Sequence, residues 1–379
     1  MKKVLFTATV DSHILNFHMP YLKFFKEEGY EVHVATNTSK EIPYCDVKHQ
    51  ISFERSPIKW NNIKAIKDLK KIIDKEKFEI IHTHTPMGSV VTRLAAKRAR
   101  NKLGTRVIYT AHGFHFYKGA PVLNWLVYYP IEKYLSKFTD DLITINKEDY
   151  ELAKRKFKSE HIYYVPGVGL DSKKFDFNMT EEEKTNLRKS LDIEKEDFVL
   201  IYPAEFTKTK RQTWLINTLK PVLEENKKIH LLLPGRDSRN NECRNLVEKL
   251  GLSKQIHILG FRKDVPYLIA IADLAVSSSN REGLPINILE SMYYGLPLVV
   301  TNCRGNRDLV KNGENGYVVN LNDCQEFRNK VLYLSEIKEE EKNQIKKINQ
   351  EMIKQYLLDV VLEEMTKIYK RNVDNNVKQ

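Results

Sequence analysis

The chain has 379 residues, 41% of them hydrophobic and 30% charged, with a formal net charge of +12. That composition describes a soluble globular protein long enough for two ordinary domains, and no apolar run approaches the roughly 20 residues that a membrane span needs. Cys45, Cys243, Cys303 and Cys324 are scattered without a C-x-x-C pair, so neither a disulfide framework nor a zinc site is indicated. The positive charge asks for an anionic partner. Nucleic acid is set aside because no nucleic-acid motif accompanies the charge, which leaves an anionic membrane surface or a polyphosphate ligand.

The opening MKKVLFTATVD carries Lys2 and Lys3, but Asp11 ends the apolar run too soon for a signal peptide. It reads as a first strand over Val4–Val10, and the chain is expected in the cytoplasm. A helix over Tyr21–Glu28 and a strand over Glu31–Thr36 follow. A helix over Asn62–Lys75 places Ile63, Ile66, Leu69, Ile72 and Ile73 on one face. Then come a strand at Glu79–His82, a helix around Val90–Lys102 and a strand at Arg106–Thr110. A helix near Trp125–Phe138 and a strand at Asp141–Ile145 complete the half. Such alternation predicts an α/β, doubly wound parallel sheet, whose ligands bind beyond the carboxyl ends of its strands.

Four loops of the first half lie at those ends. The first, VDSHILNFHMP, lacks the glycines of a dinucleotide fingerprint, which argues against a nicotinamide or flavin enzyme. It offers His13, Asn16 and His18, either as contacts for an acceptor hydroxyl or phosphate or as caps of the next helix. The second, HTHTPMG, precedes a helix N-terminus. In the third, TAHGFHFYKGAP, His112 stands at the end of a buried strand before Gly113, where a ligand can approach closely. Aromatic residues then crowd between Phe114 and Tyr129 beside Lys118 and Lys133, after a helix bearing Arg93, Lys97, Arg98, Arg100 and Lys102. A membrane interface and an aromatic core beside a solvated basic helix both fit this stretch. The fourth loop holds Asn146 and Lys147.

Beyond a Gly- and Pro-bearing connector, Pro166–Phe175, and a polar helix at Thr180–Leu191, the second half again alternates. Strands are expected at Phe198–Ala204, Ile229–Leu233, Ile256–Leu259, Leu274–Val276 and Leu298–Thr301. The most informative stretch is SSSNREGLPINILESMYYGLPLVVT, Ser277–Thr301. Pro285 sits where a first helical turn starts, Ile288, Leu289, Met292 and Tyr293 repeat at helical spacing, and Gly295 stops the helix. Glu282 stands in the loop at the helix mouth and Glu290 about two turns inside. A helix N-terminus presents unpaired N–H groups and suits a phosphate, while a carboxylate within the helix accepts hydrogen bonds from vicinal hydroxyls. The pair fits a phosphorylated, hydroxyl-rich ligand such as a sugar nucleotide; ordinary exposed glutamates are the alternative.

The block EGLPINILESMYYGLPLVV resembles the donor-binding segment of retaining glycosyltransferase family 4, with its E-x7-E spacing and following G-x-P-V-V-like strand. The resemblance implies the GT-B arrangement, two Rossmann-like domains facing a central cleft, here 1–168 on the acceptor side and 169–351 on the donor side. Residues 352–379 would supply a helix crossing back to the first domain, followed by a loose Asn/Lys tail after Arg371. It further implies a UDP-sugar donor and no cofactor. Asp-x-Asp, the metal-diphosphate motif of the other large glycosyltransferase fold, does not occur, so no metal is expected. Lys210 matches the family lysine that binds the donor diphosphate, whereas Glu205 stands where the family has arginine; Lys208 or Arg211 would supply the missing charge. Gly283, Leu284, Pro285 and Ile286 would line the diphosphate, Glu290 would hold the ribose, and Phe261 and Arg262 would meet the base. Glu282 and His112 would contact the donor sugar, leaving His13, Asn16 and His18 to the acceptor. The aromatic third loop is similar to glycosyltransferases of capsule, exopolysaccharide and lipid-linked oligosaccharide assembly. That similarity implies a polyprenyl-diphosphate-linked acceptor at the inner leaflet. A UDP-sugar epimerase or hydrolase of the same shape, or a non-catalytic basic membrane- or polyanion-binding protein, are the competing classes.

Overall fold

The computed structural model describes residues 1–56 and 59–371, so the tail after Arg371 lies outside the described residues. Two compact units divide the chain: Met1–Val168 joined by the segment from Val361, and Gly169–Val360. The return to the first unit thus begins later than residue 352.

The first unit holds strands β1 (Lys3–Thr7), β2 (Glu31–Thr36), β3 (Val47–Gln50), β4 (Ile80–Thr83), β5 (Arg106–Ala111), β6 (Asp141–Thr144) and β7 (His161–Tyr164). They form one parallel sheet in the order β3-β2-β1-β4-β5-β6-β7. Parallel strands need crossover helices on both faces, so the central strands read as continuous apolar runs. Successive side chains of β1 divide between two cores accordingly. Val4 and Phe6 pack with Ile14, Phe25 and Val32. Leu5 packs on the other face with Leu69, Ile73 and Ala95. Val361, Met365, Ile368 and Tyr369 of the last helix, Leu358–Lys370, join the first of these cores. Arg106 fastens that helix by donating to the carbonyls of Tyr369 (2.9 Å) and Ile368 (2.7 Å), while its Nε pairs with Asp141 at 2.6 Å.

Three local readings change. The stretch expected as the first loop is largely helical, Asp11–Phe17 and then Met19–Glu27. Buried Asp11 anchors the turn by accepting from the Thr36 and Thr38 hydroxyls, the Lys48 ammonium and the Lys40 amide. Strand β3 has the sequence VKHQ, and its position at the sheet edge explains why it lacks an apolar signature. The helix Pro86–Leu103 exposes Lys97 and Lys102, but its arginines are paired rather than free. Arg93 is 1% exposed and pairs with Glu132 at 2.7 Å, Arg98 meets Asp74 at 3.0 Å, and Arg100 meets Asp140 at 2.8 Å.

The second unit carries β8 (Phe198–Ile201), β9 (Ile229–Pro234), β10 (Ile256–Gly260), β11 (Leu274–Ser277), β12 (Leu298–Thr301) and β13 (Gly316–Val319). They too are parallel, in the order β10-β9-β8-β11-β12-β13. Leu200, Leu231, Leu274, Val276 and Val299 share one core with Leu215 and Leu219 of helix Gln212–Glu225. At the start of this unit Leu170 exchanges backbone hydrogen bonds with Tyr356 (2.8 Å) and Leu358 (2.9 Å). Gly169 is required there, because its φ is +85° and a Cβ would lie 2.6 Å from the Leu358 Cα.

Candidate active site

In an open parallel sheet the strand order reverses at one point, and the loops there diverge to leave a crevice. In the second unit that point lies between β8 and β11. The loop after β8 delivers Lys210 and the loop after β11 delivers Glu282, and their side chains meet at 2.6 Å. Ser279 donates to the same Glu282 oxygen at 2.5 Å, and its hydroxyl is linked to the Tyr202 phenol at 2.7 Å. The two loops are also stitched by their backbones, with Asn280 N–H donating to Thr209 (3.0 Å) and the Ser278 hydroxyl to the Lys210 carbonyl (2.7 Å). Burial alone would lower the Lys210 pKa, but the neighbouring carboxylate outweighs it and holds the ammonium at about 12. Lys210 is therefore a fixed positive charge at neutral pH.

The Glu282 carbonyl accepts from Arg304 Nε at 2.9 Å, and Arg304 is 3% exposed. The loop then packs so closely on Gly305 that a Cβ there would approach the Gly283 carbonyl to 2.6 Å. Helix Ile286–Tyr294 follows, with Pro285 in extended conformation as its N-cap rather than within its first turn. Among the described residues, nothing accepts from the N–H groups of Gly283, Leu284 or Ile286. Free amides and the helix dipole make this mouth electropositive beside the Lys210 ammonium. One face of the helix carries Glu290, whose carboxylate also has no hydrogen-bond partner among the described residues. Desolvation raises its pKa to about 7, partly offset by Lys174.

Other expected donor contacts are differently engaged. Arg211 donates to Asn322 at 2.5 Å and lies 4.7 Å from the Trp214 ring centre. Its φ of +57° at the start of helix Gln212–Glu225 directs it there. Arg262 is occupied by Asp264, with Nε at 2.7 Å from the carboxylate. Phe261 is 65% exposed and free to stack, with the Arg236 guanidinium 5.8 Å from its ring centre. Glu205 accepts from Ser238 and makes no pair with Lys210.

In the first unit the strand order reverses between β1 and β4. His13, His18 and His112 converge here with His84, which follows β4. His13 Nε2 lies 3.2 Å from His112 Nε2, and the rings of His18 and His84 stack at 3.6 Å. Burial holds the His13 imidazole down at about 4. Burial, and then the neighbouring imidazoles, put His18, His84 and His112 well below their ordinary value. All four are thus neutral at physiological pH. Asn16 is exposed and stands apart from this group.

Sequence reasoning missed the parts played by Arg304, Ser279 and Tyr202. Arg304 precedes Gly305 just as Glu282 precedes Gly283, and a basic residue at the start of a helix facing a Gly loop is the one signal that pointed to it. Ser279 and Tyr202 give no such signal, because their link crosses between strands β8 and β11.

Two family models match the chain, glycosyl transferase 4-like over residues 3–146 and glycosyl transferases group 1 over residues 183–352. The putative glycosyltransferase EpsD of Bacillus subtilis is 43% identical over 331 residues, covering 87% of this chain and 86% of its own. An Escherichia coli enzyme described as UDP-Gal:alpha-D-GlcNAc-diphosphoundecaprenol alpha-1,3-galactosyltransferase is 30% identical over 294 residues, covering 74% of each chain. Among solved structures, Anabaena HepE in complex with UDP and glucose superposes with a TM-score of 0.77 at 18% identity, over 98% of this chain and 100% of that one. The chain belongs to the group 1, family 4-like glycosyltransferases and has their GT-B fold.

Proposed function

We propose that the chain transfers a hexose or N-acetylhexosamine from a UDP-sugar, with retention of anomeric configuration, to a saccharide carried on a polyprenyl diphosphate, in bacterial surface-polysaccharide synthesis. The observation that carries this reading is the Lys210–Glu282 pair beside unsatisfied amides at the strand-order reversal of the second unit. A leaving diphosphate gains negative charge as the anomeric C–O bond breaks. Lys210 and the N–H groups of Gly283, Leu284 and Ile286 would stabilise that charge without a metal ion. Glu290 would accept from the ribose hydroxyls, and Phe261 would stack on the uracil. Glu282 would contact the sugar while keeping Lys210 protonated. The acceptor oxygen would bond to the anomeric carbon on the face the diphosphate leaves, and the departing phosphate oxygen would take the acceptor proton. His112 and His13, each through one ring nitrogen, belong in this reading to the sugar and acceptor side, whereas His18, expected there too, is buried with both of its ring nitrogens and does not reach an acceptor.

A lipid-linked acceptor at the inner leaflet is supported by the substrate in the E. coli relative's description and by two features of the first unit. An apolar cavity of about 470 Å³ is lined by Met87, Val90, Leu94, Phe114, Tyr128 and Ile131. Beside it, helix Val122–Leu135 exposes Val122, Leu123 and Leu126. No described helix is long and apolar enough to cross a membrane. The test is a panel of radiolabelled UDP-hexoses and UDP-N-acetylhexosamines with a polyprenyl-diphosphate-linked sugar. Label is expected in the lipid fraction with one donor class and only when the acceptor is present. Release of free sugar at the same rate without acceptor would establish a hydrolase instead.

A further inference from the structure

We propose that His13, His18, His84 and His112 form a binding site for one divalent first-row transition-metal cation of the zinc class, at the carboxyl ends of β1, β4 and β5. One ring nitrogen from each lies within 4.8 Å of the others. Nitrogen ligands of one tetrahedral zinc stand about 3.3 Å apart, given Zn–N bonds of about 2.0–2.1 Å. His13 Nε2 and His112 Nε2 already stand at 3.2 Å.

The unused nitrogens are the second, independent observation. Both ring nitrogens of His18 and both of His84 are buried without a hydrogen-bond partner. Each such atom costs about 1–3 kcal/mol when nothing satisfies it. Their neighbour His82 shows what a packing histidine looks like in the same cluster. Its Nδ1 is bound to the Tyr369 hydroxyl and its Nε2 to Thr110, both at 2.8 Å. A second group, Glu31, His33 and Glu76, is likewise satisfied, by Lys3 on Glu76 (2.7 Å) and His49 on His33 (2.8 Å).

The ligand chemistry selects the ion. Four neutral imidazoles without a carboxylate suit zinc, nickel or copper and do not suit magnesium or calcium. The backbone holds His84 in place at some expense: the next residue, Thr85, has φ +62°, a region costing about 1–3 kcal/mol for such a residue. Its hydroxyl is fixed by the Thr9 amide at 3.1 Å and the Thr9 hydroxyl at 2.8 Å. The bound ion ties helix Asp11–Phe17 and the residue after it to the ends of β4 and β5. It takes no part in the diphosphate contacts of the second unit. The cysteine count could not reveal it, because the ligands are histidines from well-separated segments.

The experiment uses the full chain without a polyhistidine tag, stripped with chelator and titrated with Co²⁺ while the visible spectrum is recorded. We expect saturation at about one equivalent, with the intense d–d bands of a tetrahedral nitrogen site, displaced by Zn²⁺. His84→Gln should abolish the bands, and His13→Gln, a ring nearer the surface, should weaken Co²⁺ binding at least tenfold. His161→Gln, outside the group, should match the wild type. If His84→Gln fails to fold, the wild-type spectrum and His13→Gln decide. Absence of tetrahedral bands in the wild type, or bands unchanged in His13→Gln, overturns the proposal.

Discussion

In the donor site proposed above, Lys210 and Glu290 would divide the work of holding a nucleoside diphosphate between a fixed charge and a titrating one. Because Glu282 keeps Lys210 ionised, Lys210→Ala should lower kcat about 10²–10³-fold, as loss of a transition-state charge donor does, with a smaller loss of stability because Glu282 loses its ion-pair partner but keeps the Ser279 hydrogen bond. Glu290 behaves differently. Its carboxyl titrates near 7 in the fold against 4.5 as a free side chain, so the native state holds the proton more tightly. Stability should therefore fall as pH rises from 4.5 to about 7, and UDP affinity should rise through the same upper limit as the carboxylate becomes an acceptor for two hydroxyls. In Glu290→Gln both pH dependences should flatten; a calorimetric UDP titration between pH 6 and 8, with Tm from pH 4.5 upward, reads them. The positions of Glu282 and Lys210 were legible in the sequence because each lies in a loop after a strand end, and that of Glu290 because Pro285 and Gly295 bound the helix that carries it. The partners of Arg211 and Arg262 were not, since Asn322 and Asp264 compete for them through side-chain geometry that spacing does not encode.

At the level of elements, the close approach of the Gly283 loop to the helix beginning at Arg304 makes a sensitive joint. Gly305→Ala should destabilise by about 1–3 kcal/mol through overpacking, and weaken UDP binding in the same variant because the displaced loop carries the free amides. Denaturant midpoints and UDP titration check the two effects together. In the first unit Arg106→Leu would leave buried Asp141 with only the His161 ring, 3.5 Å away, in place of the guanidinium, and release the carbonyls of Ile368 and Tyr369. A loss of about 3–5 kcal/mol in urea unfolding is expected. Strong apolar periodicity made most elements readable. Those that escaped are instructive: edge strand β3 is polar, and the helix Asp11–Phe17 is fixed by Asp11 and its distant hydroxyl and lysine partners rather than by local pattern.

Across the whole molecule, alternation of strand and helix was enough to read two parallel sheets, because parallel pairing requires a crossover each time. The histidine group was not readable, since its members meet only when β1, β4 and β5 lie side by side. Nor did net charge mark the surface proposed to meet a membrane: three arginines of helix Pro86–Leu103 are paired within the fold, and the proposal rests instead on the exposed apolar row Val122, Leu123 and Leu126. Replacing all three by Asp should remove most of the protein from anionic vesicles in co-sedimentation at low salt, without lowering UDP affinity. The most direct test of the donor site is calorimetric titration of UDP into wild-type and Lys210→Ala protein at pH 8. One UDP per chain is predicted for the wild type, with affinity at least tenfold weaker in the variant. Equal affinities, or no binding by folded wild-type protein, would contradict a diphosphate cradle at the β8–β11 reversal.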